Sequence, residues 1–170
     1  MRRAIFSRKW VLGLILATAL CLGPGLTPGA SAAPEYVGSS KCKVCHKAEF
    51  EAWMKEKHSR AMENLKPEEQ KKADCLACHT TGYGKAAKPG ADLANVGCEA
   101  CHGPGSEYKD VKIMHKKKWQ EDPQGQLKLA AAAGLIAKPD QALCATCHNA
   151  KSPTFEGFNF KEAVQKVKHK

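Results

Sequence analysis

No stretch of this sequence alternates apolar and polar residues in the manner of a half-buried strand, which argues against a sheet-based fold. Nor does any apolar run reach the length of a bilayer crossing. The longest, "WVLGLILATALCL" from Trp10 to Leu22, has 13 residues where about 20 are needed. Internal repetition is missing apart from one five-residue motif, so a solenoid or regular array is excluded. Cysteine is nearly absent outside that motif, and histidine is scarce there: eight of the nine cysteines and four of the seven histidines fall within it.

The motif is Cys-x-x-Cys-His, at Cys42, Cys45 and His46, at Cys75, Cys78 and His79, at Cys98, Cys101 and His102, and at Cys144, Cys147 and His148. Two residues between the thiols let one helical turn span a pair of porphyrin vinyl groups, and a histidine directly after the second thiol is brought under the ring as the proximal iron ligand. This is the attachment signature of c-type haem. Paired Cys₄ zinc sites need no histidine after every second cysteine. A disulfide framework suits an exported chain but leaves the four histidines unexplained. The chain is therefore expected to carry four covalently attached haem c groups. Successive first cysteines lie 33, 23 and 46 residues apart, too uneven for an array.

The N-terminus reads as a secretory leader. Arg2, Arg3, Arg8 and Lys9 precede the apolar run, and small residues follow it up to a cleavage point after Ala32. Cys21 is preceded by the bulky Leu20, which disfavours lipid attachment there. The expected organisation is a signal peptide over residues 1–32 and one tetrahaem domain over residues 33–170, periplasmic or otherwise exported, with no stable membrane insertion once the leader is removed.

The formal charge of +10 does not indicate a nucleic-acid partner. Loss of the leader leaves 23 basic against 17 acidic residues, or +6, and haem propionates bring the loaded protein close to neutral. What remains is local: "KDVKIMHKKKW", Lys109 to Trp119, can dock an acidic redox partner or neutralise propionates.

Helices are predicted over Lys47–Leu65, with Phe50, Trp53 and Met54 as its apolar residues and a stop at Pro67, over Gln126–Ala137, and from Phe160 through Val167. The stretches "TTGYGKAAKPGAD", "HGPGSEY" and "HNAKSPTFEGF" read as loops that wrap haem. The fold class is mainly α, with little or no sheet and with haem forming much of the core. A chain with so little conventional core should fold only as it is loaded.

Each iron has a sixth position, and three histidines remain for the four: His58, His115 and His169. Twelve helical residues, about 18 Å, separate His58 from His46, so His58 serves a different haem. His169 is penultimate, and on an ideal helix it points away from the face of Val164 and Val167, which leaves ligation and a surface role both open. Met54, Met62 and Met114 are alternative sulfur ligands or apolar packing.

The runs "KCKVCHKAEFEAWMKEKHSRAMENLKP", "CLACHTTGYG", "NVGCEACHGPGS" and "CATCHN" resemble the tetrahaem cytochrome c-554 family, electron carriers associated with hydroxylamine oxidation. The resemblance implies a mainly helical fold with haems in stacked pairs. It also implies three bis-histidine haems and one open haem at the second motif, with His115 completing the first haem, His58 a later one and His169 another. The present chain is shorter than that family between the third and fourth motifs and after the fourth. Its expected function is electron transfer between periplasmic donor and acceptor proteins. The alternatives are reduction or binding of nitric oxide or a related nitrogen species at the open haem, or a place in a haem filament.

Overall fold

A computed structural model describes residues 32–169. The leader expected over residues 1–32 therefore lies, apart from Ala32, outside the described residues. Ala33–Lys170 form one compact unit built from short helices. In chain order these are α1 (Ser39–Cys42), α2 (Lys47–Trp53), two 3-10 segments (Lys57–Asn64 and Glu69–Lys71), α3 (Ala73–His79), α4 (Cys98–His102), α5 (Lys116–Glu121), α6 (Pro123–Ala132), α7 (Gln141–Ala145) and α8 (Phe160–Val167). Among the described residues, strand-like pairing is limited to two isolated bridges, Tyr36 with Ala87 and Thr80 with Ala94. The mainly helical class expected from the sequence is the one observed.

Two helix boundaries differ from expectation, each for a physical reason. The continuous helix expected over Lys47–Leu65 is two pieces. Glu56 is extended, with φ −89° and ψ 161°, and the chain resumes as a 3-10 segment. The Ser59 hydroxyl donates to the carbonyls of Met54 and Glu56, satisfying the acceptors that the break frees. Long-range bonds then hold the second piece: Val96 N–H donates to His58 O, and Met62 N–H donates to Asn95 Oδ1. The helix expected over Gln126–Ala137 begins earlier, where the Asp122 carboxylate caps Gly125 N–H and Pro123 occupies the first turn. It ends at Ala132, because Gly134 turns into the left-handed region at φ 98°. The third helix, Phe160–Val167, follows the sequence reading and is capped by Asn159.

The polypeptide by itself buries little. Among the described residues the buried apolar side chains are Val37, Ala61, Tyr108 and Ala130, whereas Val44, Met54, Val111, Leu129 and Phe155 are exposed. α1 packs on α2 and α4, and α5 on α6. The most buried large side chain is charged: Glu99, in the first turn of α4, is 1% exposed. Its carboxylate accepts from Val37 N–H, Gly38 N–H and Gly105 N–H at 2.6–3.1 Å, tying the N-terminal strap to the turn after the third motif.

Candidate haem-binding site

Two of the four motifs lie wholly on helices that end at their histidine, and a third begins on one. α3 carries Cys75, Cys78 and His79, α4 carries Cys98, Cys101 and His102, and α7 carries Cys144 with Cys147 one residue beyond its C-cap. The first motif spans the junction of α1 and α2, with His46 as the N-cap of α2. One helical turn between the thiols is thus the local structure that covalent attachment requires.

Two of the four motif histidines are oriented by the backbone. His79 Nδ1 is 2.6 Å from Ala61 O, and His102 Nδ1 is 2.8 Å from Ile136 O. A carbonyl oxygen only accepts, so Nδ1 carries the proton in both rings and the Nε2 lone pair is left free for a metal.

Two spare histidines face motif histidines. The rings of His58 and His148 have centroids 6.1 Å apart, and those of His102 and His169 lie 6.2 Å apart. With imidazole nitrogens about 2 Å from a metal on each side, one iron between two rings sets their centroids roughly 6 Å apart. His148 also stacks on Phe158 at 4.6 Å with the planes 9° apart, which fixes its ring. Burial, then the neighbouring charge of His148, lowers the His58 pKa below its ordinary value, so this ring is held neutral with a lone pair to offer. His58 thus lies by a later motif than its own, in keeping with its distance from His46. The helix-face argument that turned His169 away does not apply, because α8 stops at Val167 and Lys168 is extended.

His115 is the N-cap of α5. Among the described residues, no second histidine ring approaches it, His46 or His79 in this way.

The thiols are grouped as well. Cys42 neighbours Cys98, and the interaction between the two thiols raises the Cys42 pKa and lowers that of Cys98. Burial, then the neighbouring Cys147 thiol, raises Cys78 to about 11. Thioether formation removes these titrations, and the geometry is what persists: the first motif adjoins the third, and the second adjoins the fourth. All eight described cysteines are free of disulfides. Among the described residues no three or more of His, Cys, Asp and Glu gather as a metal cluster, so the zinc-like convergence of thiols is not seen. Free thiol pairs, each followed by a histidine, suit haem c.

Sequence reasoning missed two residues that shape this site. Glu99 is an anion inside the third motif, followed by Gly103-Pro104-Gly105. A charged residue within a haem motif was the available signal. Asn95 has φ 68°, the one left-handed non-glycine residue among those described, and only its place before Gly97 hinted at a turn.

Comparison with known proteins agrees with this arrangement. The family described as Cytochrome c554 and c-prime matches residues 41–103. Cytochrome c-554 of Nitrosomonas europaea is 35% identical over 118 residues, covering 57% of this chain and 49% of that protein, so the alignment spans about half the relative's length. The solved structure of reduced cytochrome c554 from the same organism superposes with a TM-score of 0.55 at 29% identity, covering 80% of this chain and 84% of that one. In sequence and fold the chain is similar to cytochrome c554, and its match to that family's model spans residues 41–103.

Proposed function

We propose that this chain is an exported tetrahaem electron carrier that passes electrons between protein partners. Each haem c, when bound, supplies a one-electron ferric–ferrous couple whose potential is set by its axial ligands and surroundings. The observation that carries the reading is the pair of histidine contacts, His58 with His148 and His102 with His169, at the separation expected of two rings sharing one iron. Two histidine ligands held by carbonyl acceptors and stacking keep the same coordination in both redox states, so little rearrangement accompanies each transfer. His115 is assigned to His46 by the family resemblance and as the remaining spare histidine. The adjoining thiols, Cys42 with Cys98 and Cys78 with Cys147, support close packing of the groups in pairs, first with third and second with fourth.

Residues outside the ligand set suit a carrier that docks transiently. Lys116 and Lys117 project from α5 into solvent, where they favour an acidic redox partner. Export rests on the leader reading. Among the described residues no helix is long and apolar enough to cross a membrane.

His79 has no histidine facing it among the described residues, and three spare histidines serve four irons, so the second site is assigned as open. A small ligand such as carbon monoxide or nitric oxide is expected to bind there. The test is stoichiometric. Carbon monoxide added to the reduced protein should saturate near one equivalent, and His58→Ala should raise this to two. Zero equivalents in the parent protein overturns the open site, and an unchanged value in the variant overturns the role of His58.

A further inference from the structure

We propose that Asn95 is a positioning residue that tunes the proximal ligand His79 through a single peptide group. The His79 Nδ1 proton is given to Ala61 O at 2.6 Å, and the amide of the same peptide unit, Met62 N–H, donates to Asn95 Oδ1 at 2.8 Å. A peptide whose N–H is bound to an acceptor is polarised, and its carbonyl becomes a stronger acceptor, by roughly 10–30% per bond in a chain of this kind. Asn95 therefore draws the Nδ1 proton further from the imidazole. The ring gains imidazolate character, donates more strongly through Nε2 and favours the ferric state.

The arrangement is built rather than incidental. Asn95 sits at φ 68°, in the left-handed region that asparagine tolerates better than most residues. It is held there by Thr81, two residues beyond His79, which is 3% exposed. The Thr81 hydroxyl donates to Asn95 O at 2.8 Å and accepts from Gly97 N–H at 2.8 Å. Val96 N–H, next in the chain, holds His58 O at 3.1 Å, so the loop grips the 3-10 segment on both sides of Ala61. Ala61 itself is buried, which keeps water from competing for its carbonyl.

The proposal rests on His79 as an iron ligand, and its potential measurement does not depend on whether the sixth position is open. Asn95→Gly removes the acceptor at no backbone cost, because glycine adopts this φ freely. Asn95→Asp keeps the acceptor and adds negative charge. Each haem of the loaded protein is titrated separately, by NMR signals assigned to the Cys75 and Cys78 attachment. In Asn95→Gly the reduced-to-oxidised ratio of that haem at fixed potential should rise about threefold, about 28 mV upward at about 59 mV per tenfold. In Asn95→Asp it should fall. An iron–histidine stretching band, measured in the reduced protein, should move to lower frequency in the glycine variant. No change at this haem, or an equal shift at all four, overturns the proposal. Should the glycine variant fail to load haem, the aspartate variant decides alone: a fall supports the proposal and an unchanged ratio overturns it. Carbon monoxide stoichiometry tests the open site, and the potential tests Asn95.

Discussion

A carboxylate at 1% exposure is stable as an anion only if its lone pairs are taken, and those of Glu99 are taken by three backbone amides. The same charge, after burial, raises the pKa of Tyr36, so the anion is felt across the strap it holds. Truncation leaves Val37, Gly38 and Gly105 N–H buried without an acceptor. Hydrogen bonds to charged groups contribute about 1.5–3 kcal/mol each and orphaned donors cost about as much, so Glu99→Ala should destabilise the loaded protein by about 3 kcal/mol or more. Denaturant unfolding of the holoprotein, followed at the haem bands, gives the number, and a wild-type midpoint would show that the amides find other partners. At this scale the motif cysteines and histidines were legible as a local pattern, because the spacing of Cys-x-x-Cys-His follows from the shape of haem. The spare histidines were legible as a count. Their neighbours were not, since His58 and His148, and His102 and His169, are far apart in sequence.

Elements tell the same story through their ends. Composition from Lys47 to Leu65 favours one helix throughout, and nothing local marks the break at Glu56. The forces that select it come from the loop at residues 93–96, which supplies Asn95 Oδ1 and Val96 N–H to the second piece and accepts Trp53 Nε1–H at Val96 O. Splitting the helix has a consequence for the site: the 3-10 segment presents His58 towards His148 and the Ala61 carbonyl towards His79. The turn after the third motif was readable from Gly-Pro-Gly, and the structure supplies the reason. Gly103 has φ 79°, and a Cβ there would stand 2.5 Å from Gly134 O. Left-handed backbone costs an alanine about 1–2 kcal/mol, and the clash with a backbone oxygen adds to it. Gly103→Ala should therefore lower stability by at least about 2 kcal/mol and displace Ile136 O, the acceptor of His102 Nδ1. A thermal melt of the loaded variant checks the first effect, and a shift in the spectrum of a single haem checks the second.

At the scale of the whole molecule, the question is what closes the fold. The exposed Val44, Met54, Val111, Leu129 and Phe155 have no apolar partners in the described polypeptide sufficient to bury them, and the four buried apolar side chains among the described residues, Val37, Ala61, Tyr108 and Ala130, make a core far below what a domain of this length normally assembles. Ordering a backbone costs about 1–2 kcal/mol per residue, and the helices here are four to ten residues long, shorter than the roughly 12–15 at which isolated helices become even marginal in water. Bound haem would supply, through its porphyrin faces, apolar surface that the sequence does not. Binding energy is then folding energy, as it is for small metal-dependent domains. Residues 33–170 produced in a compartment where thioethers are not formed are expected to show little helical circular dichroism, no cooperative thermal transition and fast amide exchange throughout. A mass corresponding to four attached haems should accompany the folded form. Cooperative melting of the haem-free chain would mean that the polypeptide holds its own core, and that the short helices draw their stability from contacts among themselves.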